Sequence, residues 1–344
     1  MTDTVARCAV LKTESPTFLI HYHIIIQLFI KKISIKSNSF MTIALYSRIT
    51  NEESQSFITE VILFLKEKKK KVMVFRSLME KLPEEAKSII SGTFANQDEL
   101  SDPQPDFLFS IGGDGTFIDA ANIVGDSELP ILGINTGRIG FLTNVNRSSF
   151  REAFDFLQKS DFQIEERNLL QVSSNNGTAL PATFALNDIS IHPHGDSINA
   201  VHVEANGERL NTYWGDGLIV ATPTGSTAYS LSCGGPILVP SANVMVLTPI
   251  ASHSLTVRPI VLPTDNKLII KVESRSHRFI LSVDSHRLTM DDTVTLTVSK
   301  APYTIKTIRL PNADFYSVIR EKLLWGLDKR NNSNLNSDSS SPTL

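Results

Sequence analysis

The feature that most constrains this chain is a cluster of glycines placed where a strand turns into a helix. Residues 106–111 are an apolar run of strand length, and Gly112-Gly113-Asp114-Gly115-Thr116 follows at once. Phe117, Ile118, Ala120, Ala121 and Val124 then recur at helical spacing. An Asp-Gly pair after a strand is also a common hairpin turn, but a hairpin returns to a strand, whereas this segment continues as a helix. The spacing therefore predicts a strand-to-helix turn with Thr116 able to act as the N-cap. At the C-terminal end of a parallel strand such a turn brings backbone N–H groups and a helix N-terminus up to a phosphate, and glycine permits the close approach.

The flanking pattern suits that junction. Residues 43–47, 72–75, 106–111 and 130–134 read as short apolar strands. A helix over 52–67 turns Phe57, Val61, Phe64 and Leu65 inward, and one over 148–158 turns Phe150, Phe154 and Leu157. This alternation predicts a parallel, doubly wound α/β sheet over 41–164. Beyond residue 165 the texture changes to short alternating runs parted by turn residues, as in a β-rich second domain over 165–304. Phe315, Val318, Ile319 and Leu323 return to near-helical spacing, so 305–328 is expected to rejoin the first domain through a C-terminal helix. Residues 1–40 are expected to be an extension outside the fold, and 329–344, almost all Asn, Ser, Asp and Pro after residue 330, a disordered tail. The apolar run near residues 18–30 is too short to span a membrane and lacks a small-residue cleavage site after it.

Composition narrows the function. A net charge of −3 argues against a nucleic-acid binder working through a broad basic surface. Cys8 and Cys233 are the only cysteines, which leaves no disulfide framework and no Cys-rich zinc site. The glycine turn lacks the lysine of GxxxxGK[ST], and GxGxxG is absent, so a P-loop NTPase and an ordinary dinucleotide-binding dehydrogenase lose their main signatures.

Asp114 sharpens the reading, because bound phosphates repel a carboxylate. It makes sense there if it takes a proton from an attacking hydroxyl or reaches a Mg²⁺ that bridges the phosphates. A second constellation, residues 215–236, gathers Asp216, several hydroxyls and Tyr229 around exposed backbone donors, which suits a sugar-phosphate and adenine ligand better than a bare strand with turns. Asn187-Asp188 is a polar pair in an apolar run and calls for a ligand or a local hydrogen bond.

These motifs, together with Gly133-Ile134-Asn135-Thr136-Gly137-Arg138-Ile139-Gly140-Phe141-Leu142 and the run from His253 to Ile260, occur in the order seen in the NAD kinase family, which the chain resembles from about residue 41 to 327. The resemblance implies transfer of a phosphoryl group from ATP, another nucleotide or polyphosphate to the adenosine ribose 2′-hydroxyl of NAD, giving NADP. It implies Asp114 as the base, with Gly112, Gly113, Gly115 and Thr116 holding donor phosphates. Asn187 and Asp188 would bind the NAD ribose and adenine region, and Asp216 the nicotinamide side. Thr227, Ala228, Tyr229 and Ser232 would line the adenine pocket, and Phe141 would pack near the ligand. The resemblance further implies a divalent metal, Mg²⁺, with the nucleotide, a cytoplasmic homodimer or homotetramer, and no nucleic-acid or membrane partner. The chain departs from the family in two places: Asn187-Asp188 stands where Asn-Glu is common, and Asp284-Ser285 where many bacterial relatives have Asp-Gly. A lipid kinase of the diacylglycerol or sphingoid-base type shares the glycine loop but needs an apolar entrance, which the hydroxyl-rich 215–236 segment does not suggest. A nucleotide-sensing protein without activity would have no use for Asp114.

Overall fold

The computed structural model describes residues 41–48, 51–137, 140–180, 182–195, 199–311 and 313–325. The expected extension over 1–40, the expected tail over 329–344 and the Arg138-Ile139 step of the glycine-rich motif lie outside them.

The α/β half runs β1 (Thr42–Ser47), α1 (Glu52–Glu67), β2 (Lys71–Phe75), α2 (Arg76–Glu80), α3 (Glu84–Lys87), β3 (Gly92–Phe94), α4 (Gln97–Ser101), β4 (Phe107–Ile111), α5 (Asp114–Val124), β5 (Ile131–Asn135), β6 (Val145–Asn146) and α6 (Phe150–Gln158). The strands are parallel, in the order β3-β2-β1-β4-β5. β4 and β5 are buried along their whole length, as continuous apolar runs in a sheet covered on both faces should be. Successive side chains face opposite ways, so Phe109 meets Phe150 of α6 at 6.2 Å between ring centroids, and Phe150 in turn meets Phe64 of α1 at 5.4 Å. Leu108 joins the cluster under α5 with Phe117, Ala120, Ala121 and Val124. α1 is capped by Asn51, whose side chain accepts the Ser54 N–H at 2.8 Å.

The β-rich half follows as β7 (Gln163–Ser174), β8 (Phe184–Ala185), β9 (Asp188–Pro193), β10 (Asn199–Ala205), β11 (Glu208–Gly215), β12 (Gly217–Ala221), α7 (Tyr229–Ser232), β13 (Val244–Ile250), β14 (Ile260–Pro263), β15 (Leu268–Ser274), β16 (Arg278–Val283), β17 (His286–Asp291) and β18 (Thr295–Arg309), closed by α8 (Phe315–Leu323). The halves share a sheet. The 15-residue β18 lies beside β15 and β7 in antiparallel register and, at Thr307, parallel to β5. Its register shifts between Lys300 and Thr304 around Pro302, which cannot donate to a ladder. A second, antiparallel sheet, β14-β13-β12-β9-β16-β17, stacks on the first. Leu218, Val220, Met245 and Phe279 from one sheet and Val201, Ile270 and Leu296 from the other form a common core. α8 returns to the α/β half, where Lys322 Nζ lies 4.9 Å from the Phe141 ring centroid. Among the described residues no helix is long and apolar enough to cross a membrane.

Candidate active site

The glycine turn is a strand-to-helix junction, but its cap differs from the expected one. Gly113 is the N-cap of α5 and Asp114 its first residue, so Thr116 sits in the first turn, its N–H bonded to the Gly113 carbonyl at 2.9 Å. The extended conformation of Gly113 ends the strand direction two residues after Ile111, earlier than a threonine cap would. Gly112 is glycine for an internal reason: its φ is +156°, and a Cβ there would lie 2.4 Å from Thr116 Oγ1. Gly113 and Gly115 are exposed, and a Cβ at either would meet nothing within 4 Å. Packing therefore does not demand glycine at these two positions, and the missing side chains leave their backbone open to close approach. The Asp114 and Gly115 N–H groups that open α5 have no intrahelical acceptor and sit at the positive end of the helix dipole.

Asp114 is held by the segment after β5. Its Oδ2 accepts the Phe141 N–H at 2.8 Å, while Oδ1 accepts the Leu142 N–H at 3.1 Å and the Thr143 hydroxyl at 3.0 Å. An ionised carboxylate offers about four acceptor positions. Oδ1 is filled twice and Oδ2 once, so the open position is on Oδ2. Two glycines make this contact possible. A Cβ on Gly133 would lie 2.3 Å from the Leu142 carbonyl oxygen, and one on Gly140 would lie 1.8 Å from Asp114 Oδ1.

The Asn187-Asp188 turn enters β9 stitched from two sides. Asp284, in the β16–β17 turn, accepts the N–H groups of Leu186 and Asn187 at 2.8 Å and of Asp188 at 3.1 Å. Thr222 answers from the other side: its hydroxyl donates to the Leu186 carbonyl at 2.6 Å and its N–H to the Asn187 carbonyl at 2.9 Å. Gly225 then presses on the turn, since a Cβ there would lie 2.1 Å from Asn187 O. The turn's backbone is thus spoken for, while the half-buried Asn187 side chain has no protein hydrogen-bond partner among the described residues. Burial, and next the neighbouring Asp284 carboxylate, push the Asp188 pKa up to about 7, against a Ser190 hydrogen bond acting the other way. Burial also raises Asp284, opposed by its three backbone donors.

Residues 225–233 lie against this turn. Thr227 and Ala228 are half-buried and Ser232 is exposed. Tyr229 is 39% exposed and stacks on His192 at 5.8 Å between ring centroids. Burial raises the Tyr229 pKa, as do Cys233 and Asp188 nearby. The Asp114 loop and the Asn187 turn border one core, in which Phe117, Leu142 and Leu186 meet. Asp216 is exposed in the link between β11 and β12 and shares no hydrogen bond with the other candidates. Its flanking glycines are structural: a Cβ would lie 2.8 Å from the Ala251 carbonyl oxygen at Gly215 and 1.9 Å from that of Ile191 at Gly217, whose φ is +140°.

Sequence reasoning passed over Asn135, Gly140, Thr143 and Thr222, and gave no role to Asp284. The first three lie in or beside the glycine-rich motif, but their roles are visible only once β5 and α5 lie side by side.

The chain's likenesses agree with this geometry. The model of the ATP-NAD kinase N-terminal domain matches residues 22–162, starting ahead of Met41, and that of the C-terminal domain matches 186–310. The NAD kinase of Cytophaga hutchinsonii is 36% identical over 294 residues, which is 85% of this chain and the whole of the relative. That of Bacteroides fragilis is 45% identical over 226 residues, 65% of this chain and 78% of the relative. Among solved structures, an NAD kinase from Archaeoglobus fulgidus in complex with ATP is 25% identical with a TM-score of 0.63, covering 83% of this chain and 99% of that one. Yeast NADH kinase complexed with NADH, at 24% identity and a TM-score of 0.76 over 86% and 90% of the two chains, shows the same fold. None of this favours a lipid kinase. With a pinned carboxylate at an open helix N-terminus and family matches across both halves, the chain belongs to the ATP-NAD kinase family.

Proposed function

We propose that the protein phosphorylates NAD at the adenosine ribose 2′-hydroxyl, with ATP as phosphoryl donor, and releases NADP and ADP. The single open acceptor position on Asp114, beside exposed Gly113 and Gly115 at the start of α5, carries this reading. Donor phosphates lie along residues 112–116, where backbone N–H groups and the helix dipole favour negative charge. Asp114 Oδ2 takes the proton of the 2′-hydroxyl as that oxygen attacks the terminal phosphorus, and the bond from phosphorus to the ADP oxygen breaks. The Asn187 amide, with no hydrogen-bond partner among the described residues, binds the acceptor ribose, with Asp188 beside it. Thr227, Ala228, Tyr229 and Ser232 form the adenine wall. Phe141 packs near the ligand, and Asp216 serves the nicotinamide end.

Among the described residues no group of three or more His, Cys, Asp or Glu stands together to hold a metal. A divalent ion, Mg²⁺, would be held by the phosphates of the donor nucleotide seated along residues 112–116 and would supply neutralisation of the charge on the transferred group. By its family resemblance the enzyme works in the cytoplasm as a homodimer or homotetramer. Incubating the purified chain with NAD, Mg²⁺ and either ATP or polyphosphate, with NADP read by a coupled dehydrogenase, tests the assignment. Absence of NADP with every donor would refute it.

A further inference from the structure

A buried relay behind Asp114 has one hydrogen-bonding sense. The Gly137 N–H donates to Asn135 Oδ1 at 2.6 Å, which sets the orientation of that amide. Asn135 Nδ2 therefore donates, and its acceptor is Thr143 Oγ1 at 2.8 Å. With one lone pair of Oγ1 taken, the hydroxyl proton of Thr143 points at Asp114 Oδ1, 3.0 Å away. Thr143 is fully buried and Asn135 is 3% exposed, so water does not compete for either group. Asn135 closes β5 and Asp114 opens α5, so the relay ties the end of one element to the start of the other.

We propose that Thr143, oriented by Asn135, is a positioning residue for the phosphoryl transfer. By filling Oδ1 it leaves Oδ2 as the atom that meets the acceptor hydroxyl. Thr143 touches neither substrate. Without its hydroxyl, Oδ1 regains an open position like that on Oδ2, only the Phe141 and Leu142 N–H groups hold the carboxylate, and the choice between its two oxygens is lost. The proposal rests on Asp114 being the base and adds to it which oxygen works and what selects that oxygen.

Three variants and one double variant test it, each measured for kcat, KM for NAD, KM for ATP and melting temperature. Thr143→Val keeps the shape and removes the hydroxyl. Loss of a hydrogen bond to a charged group corresponds to roughly a ten- to hundredfold fall, expected in kcat with both KM values unchanged. Thr143→Ser keeps the hydroxyl and is expected to restore most of kcat, which a purely packing role for the threonine methyl would not. In an Asp114→Asn background the valine substitution is expected to have no further effect on kcat, because no base is left to aim.

A Thr143→Val kcat near wild type beside a disabled Asp114→Asn overturns the relay while leaving the base intact. A full Thr143→Val effect that persists in the Asp114→Asn background also overturns it, since Thr143 then acts elsewhere. A near-normal Asp114→Asn removes the base assignment itself, and the relay with it. A Thr143→Val loss that Thr143→Ser fails to restore, or that follows the melting temperature, marks a structural residue and likewise overturns the proposal.

Discussion

Gly140→Ala puts a methyl group in place of a hydrogen at the most crowded point of the site. The new Cβ would lie 1.8 Å from Asp114 Oδ1, 2.6 Å from Asp114 Cγ and 2.3 Å from Thr143 Oγ1. Tight van der Waals contact begins near 3.0–3.4 Å, so the carboxylate must retreat by at least 1.2 Å. It has nowhere to go without giving up the Leu142 and Thr143 donors, both of which meet the oxygen under pressure. The effect is one of contact at these three distances. Misplacing a catalytic group by about 1 Å costs on the order of 10²-fold in rate, and overpacking costs about 1–3 kcal/mol of stability. The expected result is a kcat about a hundredfold below wild type with NAD affinity largely kept, read by coupled NADP formation and by calorimetric titration of NAD. A kcat within about threefold of wild type and an unchanged melting temperature would refute the tight seating of Asp114.

The acceptor turn gives two further expectations. Asn187→Ala should raise KM for NAD roughly ten- to a hundredfold, the loss of one or two hydrogen bonds, and leave KM for ATP little changed; a raised KM for ATP alone would move Asn187 to the donor side. Asp188 has a folded pKa of about 7 against an ordinary value of 3.8. Between those values the folded chain keeps a proton that the unfolded chain has lost, so unfolding releases a proton and stability falls as pH rises through about 4 to 7. The full gap corresponds to a ceiling of roughly 4 kcal/mol. Asp188→Asn cannot ionise, so its melting temperature relative to wild type should climb from pH 4 to pH 8, and parallel curves would contradict the buried-carboxylate reading.

Much of the α/β half was legible because its strands are buried on both faces and its helices show a single apolar stripe. Phe57, Val61, Phe64 and Leu65 are inward as their spacing requires. The three-residue β3 and the short helices α2, α3 and α4 carry too few residues to display a period. In the β-rich half, the division of strands between two stacked sheets is written in long-range pairing, such as that of β10 with β15, which no local pattern reports. Asp114 was legible because a carboxylate is chemically odd in a glycine turn of the kind that suits phosphate. Its supports were not: Gly140 and Thr143 are 26 and 29 residues away in the chain and earn their identity only from contact with it. Asp284 lies 96 to 98 residues from the amides it binds, and a lone Asp in a hairpin turn reads as a turn former until the partner backbone is seen.

The base assignment is tested most directly by kcat of Asp114→Asn across a Mg²⁺ titration, with NAD affinity measured alongside. The amide cannot accept the 2′-hydroxyl proton, so kcat should fall by about 10² or more at every Mg²⁺ concentration while NAD still binds. Recovery of the rate at saturating Mg²⁺ would make Asp114 a metal anchor, and a near-normal kcat at ordinary Mg²⁺ would leave residues 112–116 as a phosphate cradle with no base beside it.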